Sequence, residues 1–245
     1  MIFLVDIGNS RVKWECRQGG QILAEGNTLR PTADLEQTFN AQWATLTPCR
    51  VVVSNVAGPN VTERLSWWCE GRWALTPQFV STAAEGYGVR NGYEDYRQLG
   101  VDRWLALIAA WHRSQMASCV VDCGTAVTLD ALSPSGGHLG GMIMPGLMLM
   151  QRSLVKHTEG IRTEEAGRPA LLARNTRDGI TAGSAYAVAA GIDRFVLELR
   201  QRLGEVRCII TGGDAEYVLP LLVNRFEAVP NLVLQGLAIV AGDEE

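Results

Sequence analysis

The chain has 245 residues, 47% of them hydrophobic and 20% charged, with a formal net charge of −4. That length allows one large domain or two of ordinary size around a sizeable core, and an acidic balance without a cluster of Lys and Arg argues against a nucleic-acid-binding surface. No basic start followed by a long apolar stretch marks a leader, and the most apolar run, 139–150, is too short for a bilayer and is broken by glycines and Pro145. A cytoplasmic protein with no membrane and no nucleic-acid partner is the expectation. The six cysteines form no C-x-x-C pair, and His112, His138 and His157 are scattered. Reduced, mostly buried thiols are therefore expected rather than a disulfide framework or a zinc site.

Residues 1–25 read as three strands: an apolar run at 1–5, a turn at 6–10, and a hairpin closing at Gly19-Gly20. The spacing predicts a helix over 31–43 with Leu35 and Phe39 on one face. It predicts a buried strand over 50–55 around Val51-Val52-Val53, and a helix over 61–69. Trp67, Trp68 and Trp73 read as core or interface. Residues 81–100 have no clear period and read as a loop, before a helix over 102–116 that buries Leu105, Ile108 and Trp111 or His112. At Cys119 the pattern starts again, with strands at 119–122, 127–132 and 138–144 and helices near 146–155 and 178–203. A strand at 207–211 then runs into Gly212-Gly213-Asp214 and a further helix, and a last strand-helix unit occupies 231–240. The second half repeats the order of the first, so the expectation is an α/β protein of two similar domains, 1–116 and 117–245.

The repeat is spelled out in two phrases, Val5-Asp6-Ile7-Gly8-Asn9-Ser10 and Val121-Asp122-Cys123-Gly124-Thr125-Ala126. Each sets an Asp at the carboxyl end of an apolar strand, where open α/β sheets place ligands. Each follows it with a glycine whose missing Cβ lets phosphate oxygens approach the main chain. Asn9, Ser10 and Thr125 add polar side chains, and Lys13 can reach back as a point charge. Magnesium takes oxygen ligands and keeps several waters, so one or two aspartates plus phosphates suit it. A lone Asp-x-Gly is usually a turn cap; two copies in matching strand contexts point instead to a nucleotide's phosphates. Competing nucleotide signatures fail: there is no G-x-x-x-x-G-K-[ST], and Gly86-Tyr87-Gly88-Val89-Arg90-Asn91 breaks the dinucleotide pattern at its last glycine. Gly212-Gly213-Asp214 can present N–H groups to a ribose or phosphate. Asp102, where a polar loop meets a helix, reads equally as an N-cap and as a general base that takes a proton from a substrate hydroxyl during phosphoryl transfer. Arg103 beside it is a candidate contact for an acidic substrate or a solvated helix residue.

These phrases resemble the type III pantothenate kinases, the bacterial enzymes that begin coenzyme A synthesis. The matching stretches keep their order along nearly the whole chain: 6–13, Asn91-Gly92-Tyr93, Leu99-Gly100-Val101-Asp102-Arg103, 121–128, His138-Leu139-Gly140-Gly141, Pro145-Gly146, Asn175-Thr176 and Thr211-Gly212-Gly213-Asp214. The wording of 91–104 is nearest the pseudomonad-like branch. The resemblance implies two related actin-like (ribonuclease H-like) α/β domains with the active site in the cleft between them, assembled as a homodimer. It implies ATP-dependent phosphorylation of pantothenate's primary hydroxyl to 4′-phosphopantothenate, with Mg2+ and a monovalent cation, K+ or NH4+.

The resemblance also assigns roles to individual residues. Asp6, Ile7, Gly8, Asn9, Ser10, Arg11, Val12 and Lys13 form the first ATP phosphate turn, and Thr125 contacts ATP from the second. Asp102 is the catalytic base, while Tyr93, Gly100, Val101, Asp102, Arg103 and Thr181 hold pantothenate. Asp122 is a ligand of the monovalent cation, where the residues alone had offered it to magnesium. The chain departs from the family's usual wording at Glu94-Asp95-Tyr96-Arg97-Gln98, where a proline is common, at Ser10 for Thr, and at Cys123 for an aliphatic residue. Two other readings keep the fold: a non-catalytic regulator, which need not retain Asp6, Lys13, Asp102 and Asp122 together, and a phosphohydrolase, which has no use for the 93–103 segment.

Overall fold

The structure is a computed structural model that describes residues 1–30, 35–161 and 167–243. The chain divides into two compact units, Met1–Arg113 with Asn231–Glu245, and Ser114–Pro230.

In the first unit β1 (Ile2–Ile7) is the central strand. Phe3, Leu4, Val5 and Ile7 are fully buried, as an unbroken apolar run requires when both faces of a strand are covered. β2 (Arg11–Gln18) and β3 (Gln21–Leu29) follow as an antiparallel meander turned at Gly19-Gly20, both glycines with positive φ. α1 (Leu35–Trp43) leads to β4 (Arg50–Asn55), which pairs parallel to β1, and α2 (Pro59–Trp73) leads to the short β5 (Gln78–Phe79). The sheet order is β3-β2-β1-β4-β5. Residues 31–34 of the first predicted helix lie outside the described residues.

An aromatic cluster closes the core of this unit. Phe39 stacks on Trp43 one helical turn away, with ring centroids 4.6 Å apart; Phe3 and Trp68 meet this pair edge-on, and Trp73 meets Phe3 and Trp68 in the same way. Trp67 does not join its neighbours: it faces outward and is 73% exposed. Five of the six cysteines are buried, as expected, and all six are free; Cys49 is the exposed one.

The predicted loop over 81–100 is more ordered than its composition suggested. It holds a two-stranded hairpin, β6 (Glu85–Gly86) with β7 (Val89–Arg90), and a 3-10 turn at Tyr96–Gln98. Two-residue strands leave no periodicity for a sequence reading to detect. α3 (Val101–Ser114) is buried all round from Arg103 to Ala110, whereas Trp111 is only partly covered and His112 is exposed. The expectation of one buried face ending at those two residues is thus corrected: the helix is enclosed at its start and emerges at its end.

The second unit repeats the first. β8 (Ser118–Cys123) is central, with β9 (Ala126–Leu132) antiparallel to it and β10 (His138–Pro145) antiparallel to β9. α4 (Leu147–His157) and α5 (Thr176–Leu203) precede β11 (Arg207–Thr211), which is parallel to β8. The short α6 (Ala215–Val218) precedes β12 (Glu227–Ala228). The order β10-β9-β8-β11-β12 matches the first sheet strand for strand, in order and in sense.

The last predicted strand-helix unit, at 231–240, is a helix alone, α7 (Leu232–Ala241), and it packs with the first unit. The domain expected over 117–245 therefore gives up its end. Arg50 on β4 donates to the Ala241 carbonyl at 2.8 Å, and Arg17 on β2 lies 3.5 Å from the Asp243 carboxylate. A Cβ on Gly236 would stand 2.2 Å from the Leu105 carbonyl oxygen, so α7 crosses α3 at main-chain contact. Among the described residues no helix is long and apolar enough to cross a membrane.

Candidate active site

The first turn is shaped by the pairing of β1 with β2. Gly8 N–H donates to the Arg11 carbonyl at 2.9 Å, which closes the turn. Arg30 braces it from behind, its Nε donating to the Asn9 carbonyl at 3.0 Å and its main-chain N–H to that of Ser10 at 2.9 Å. Asn9 and Ser10 are left exposed at the tip. Ile7 and Val12 are fully buried, so only their main chain is available to a ligand. Arg11 points to Asn27 Oδ1 at 3.2 Å. Asp6 stands opposite Lys13 on β2 and Ser54 on β4. Residues in direct register share a sheet face, so one row across three strands carries a carboxylate, an ammonium and a hydroxyl.

The second turn has the same plan with different chemistry. Gly124 N–H donates to the Ala126 carbonyl at 3.1 Å, and Thr125 is exposed at the tip. Asp122 stands opposite Thr128 on β9 and Thr211 on β11. Where the first row has an ammonium, the second has a hydroxyl, so Asp122 sits in a row of oxygen atoms alone. Two glycines outside the repeated phrase complete the turn. A Cβ on Gly146 would fall 2.2 Å from the Gly124 carbonyl oxygen. One on Gly212, whose φ is +96°, would fall 2.3 Å from that of Cys123 and 2.5 Å from Asp122 Oδ1. Asp214 N–H also donates to Cys123 O at 2.9 Å. The sequence suggested Gly212-Gly213 only as a source of N–H groups; close approach to Asp122 is a second reason for glycine there. Burial, and then the carboxylates of Asp122 and Asp214, push the Cys123 thiol up to about 12, so it is a neutral packing group.

Asp102 lies in the first turn of α3, one residue inside the helix, and so is not its N-cap. Its Oδ1 accepts from Arg103 N–H at 2.8 Å, and a Cβ on Gly100 would sit 2.5 Å from that same oxygen. The Arg103 guanidinium is buried, at 7% exposure. It donates to the Tyr93 hydroxyl at 2.7 Å and lies over the Tyr93 ring at 5.4 Å. Gly100 and Val101 line a cavity of about 570 Å³ with Asn55, Val56 and Thr82. Val56 N–H donates to the Ile7 carbonyl at 3.1 Å, so the cavity connects the carboxyl end of β1 to the start of α3 within one unit. Tyr93, Gly100, Asp102 and Arg103 thus lie side by side, linked pairwise through Arg103 and Asp102. Asn55 and Thr82, which line the cavity, had not been singled out, and Asn91, named only as part of a matching stretch, bonds to Tyr93; loop hydrogen bonds leave no periodic trace.

Thr181 occupies the second turn of α5, on a different element from Asp122 and Thr125. Its hydroxyl accepts from Gly167 N–H at 2.9 Å and keeps its own hydrogen to donate. Beside it, Asp178 accepts from the Arg168 N–H and the Asn175 amide, and these bonds, the Arg168 one foremost, hold its carboxyl below the usual range.

A family model described as type III pantothenate kinase matches residues 2–198. Proteins of that name from Nitrosococcus oceani and Nitrosospira multiformis are 45% and 40% identical to this chain. The matches cover 99% and 98% of it and 94% and 91% of their own length. Among solved structures, a Campylobacter jejuni protein named for the Baf family of transcriptional activators aligns over 98% of both chains with a TM-score of 0.58 at 21% identity. A chain of the PilM-PilN type IV pilus biogenesis complex aligns over 100% of this chain and 99% of its own, with a TM-score of 0.59 at 14% identity. At such identities the likeness to these two is one of fold.

Proposed function

The chain belongs to the type III pantothenate kinases, and on that premise we propose how its residues divide the work of moving a phosphoryl group from ATP to pantothenate. The enzyme is a kinase of the actin-like fold that converts pantothenate to 4′-phosphopantothenate, the first step of coenzyme A biosynthesis. The assignment of roles rests above all on the start of α3, where a carboxylate fixed over Gly100 adjoins a buried guanidinium fixed by a phenol.

In this reading Asp102 is the base. Its carboxylate orients the primary hydroxyl of pantothenate and takes its proton as that oxygen bonds to the γ-phosphorus and the bond to the departing ADP oxygen breaks. Such a transfer has a loose transition state, so placement of the hydroxyl counts for more than the strength of the base. Arg103 and Tyr93 hold the acid substrate, Gly100 and Val101 give it a main-chain wall, and Thr181 supplies a hydroxyl. The run from Asp6 to Lys13 cradles the ATP phosphates through main-chain N–H groups, the tips of Asn9 and Ser10, and the Lys13 ammonium. Thr125 contributes from the second turn.

Mg2+ suits the first turn, whose donors are oxygens around one carboxylate; among the described residues no group of three His, Cys, Asp or Glu side chains gathers to strip its waters. Bound there, it would neutralise charge on the transferring phosphates. A monovalent cation, K+ or NH4+, suits Asp122, whose register neighbours Thr128 and Thr211 bring hydroxyls and no competing cation. The homodimer is supported by exposed apolar side chains on β10 and α4, among them Ile143, Met148 and Leu149. Use of ATP and free thiols support a cytoplasmic location.

Coupled ADP release from the purified protein tests the reading. Turnover is expected to require pantothenate, ATP and Mg2+, and to fall when Na+ replaces K+. Release that ignores pantothenate would sink the substrate assignment, and indifference to the swap would remove the cation from Asp122.

A further inference from the structure

Asn91, for which the resemblance supplies no role, organises the loop that carries Tyr93. Its main-chain N–H donates to the Ala84 carbonyl at 2.9 Å, and its Oδ1 accepts from Tyr93 N–H at 3.0 Å. Its Nδ2 reaches the carbonyls of Ala83 and Tyr96 at 3.4 and 3.3 Å. One short side chain thereby ties the approach to the β6–β7 hairpin, the residue bearing the phenol, and the turn leading to Gly100.

The hairpin is fixed on its far side to α3. Its tip, Tyr87-Gly88, has positive φ at both residues, and the Tyr87 carbonyl accepts from His112 Nε2 at 3.1 Å. A Cβ on Gly88 would stand 2.5 Å from Trp111 Nε1, and Gly86 lies against Trp104. The loop therefore touches one helix along the hairpin, at Trp104, Trp111 and His112, and again at Arg103, and Asn91 lies between these contacts. A buried guanidinium keeps a single orientation only when a fixed acceptor holds it. The Tyr93 hydroxyl is one such acceptor for Arg103, and the Tyr93 main chain is in turn held by Asn91.

We infer that Asn91 is a positioning residue for pantothenate recognition: by fixing Tyr93 it holds the Arg103 guanidinium in the orientation that binds the acid substrate. The inference rests on the proposed substrate contacts of Tyr93 and Arg103, and it assigns Asn91 an effect on pantothenate without one on ATP.

Steady-state kinetics with each substrate varied in turn test it, on Asn91→Ala, Asn91→Asp and Arg103→Gln, with circular dichroism to check folding. Asn91→Ala is expected to raise KM for pantothenate about tenfold while KM for ATP stays put. Asn91→Asp keeps the acceptor for Tyr93 N–H and loses the donated bonds, so it should fall between wild type and Asn91→Ala. If Asn91→Ala does not fold, a rise in pantothenate KM alone in Asn91→Asp carries the test. A pantothenate KM that stays at the wild-type value in the Asn91 variants while Arg103→Gln raises it overturns the inference and leaves the substrate reading standing. Equal rises for both substrates would make Asn91 merely structural and overturn it too. No effect of Arg103→Gln would remove the substrate reading and the inference together.

Discussion

The Asp102 carboxylate is held by its neighbour's N–H and sits over a glycine, so a small change beside it separates chemistry from placement. Asp102→Asn keeps a carbonyl oxygen for the Arg103 N–H and loses the capacity to take a proton. It should lower kcat by on the order of 10²-fold or more, with ATP affinity by calorimetry unchanged; full turnover would remove Asp102 from the base role. In the sequence this residue could be a cap or a base, because only its position near a helix start was legible. The cap reading falls because α3 begins one residue earlier, with Asp102 already inside its first turn. Lys13 makes a similar case. Its distance from Ser10 was readable, but its place directly opposite Asp6 was not, since register is a property of two strands. Lys13→Met should raise KM for ATP about tenfold without shifting the K+ concentration for half-maximal rate. A shift in both would give Lys13 an effect on the monovalent cation as well as on ATP.

Among the elements α7 teaches most. Its sequence, apolar on nearly every side, says that it is buried; nothing in it says against what. The answer lies in pairwise features: Gly236 against Leu105, Arg50 at its last carbonyls, and the ends of the helix tied to β2 through Asn231 to Glu15 and Asp243 to Arg17. Gly236→Ala places a methyl group into the α3 main chain and should cost about 1–3 kcal/mol in chemical denaturation; no loss would mean the helices can part freely.

Glu15 in that cluster has its carboxyl raised above 4.5 by burial, an effect that outweighs the nearby Arg17. A folded-state pKa above the unfolded one contributes stability that is present below the unfolded value and lost as pH rises through the folded one. Glu15→Gln, which keeps an acceptor for Asn231, should therefore match wild type in melting temperature at acid pH and exceed it at neutral pH. The opposite trend would show that the ion pair outweighs desolvation.

Across the whole molecule, the repeat was legible because two sheets with one strand order share one order of periods, and because both Asp-x-Gly turns fall at the same step of it. The discontinuity of the first unit was not legible, since periodicity records burial and not the partner. Deleting 231–243 should accordingly speed amide hydrogen exchange in β1 and β4 while β8, β9 and β11 stay protected; uniform loss of protection would refute the grouping. The thiols give a second global readout. Burial pushes Cys69 and Cys123 up to about 12, and only Cys49 is exposed. Ellman's reagent should titrate one thiol per native chain and six after denaturation.

The return of α7 to the first sheet also fixes an order of events on the ribosome. The second unit is one uninterrupted stretch, 114–230, and has all its parts as soon as that stretch emerges. The first unit, although synthesised earlier, must wait for the last helix of the chain. Until then the faces of β1, β4 and α3 that α7 covers stay open to water and to chaperones, so the half of the enzyme that is made first is the last to be finished.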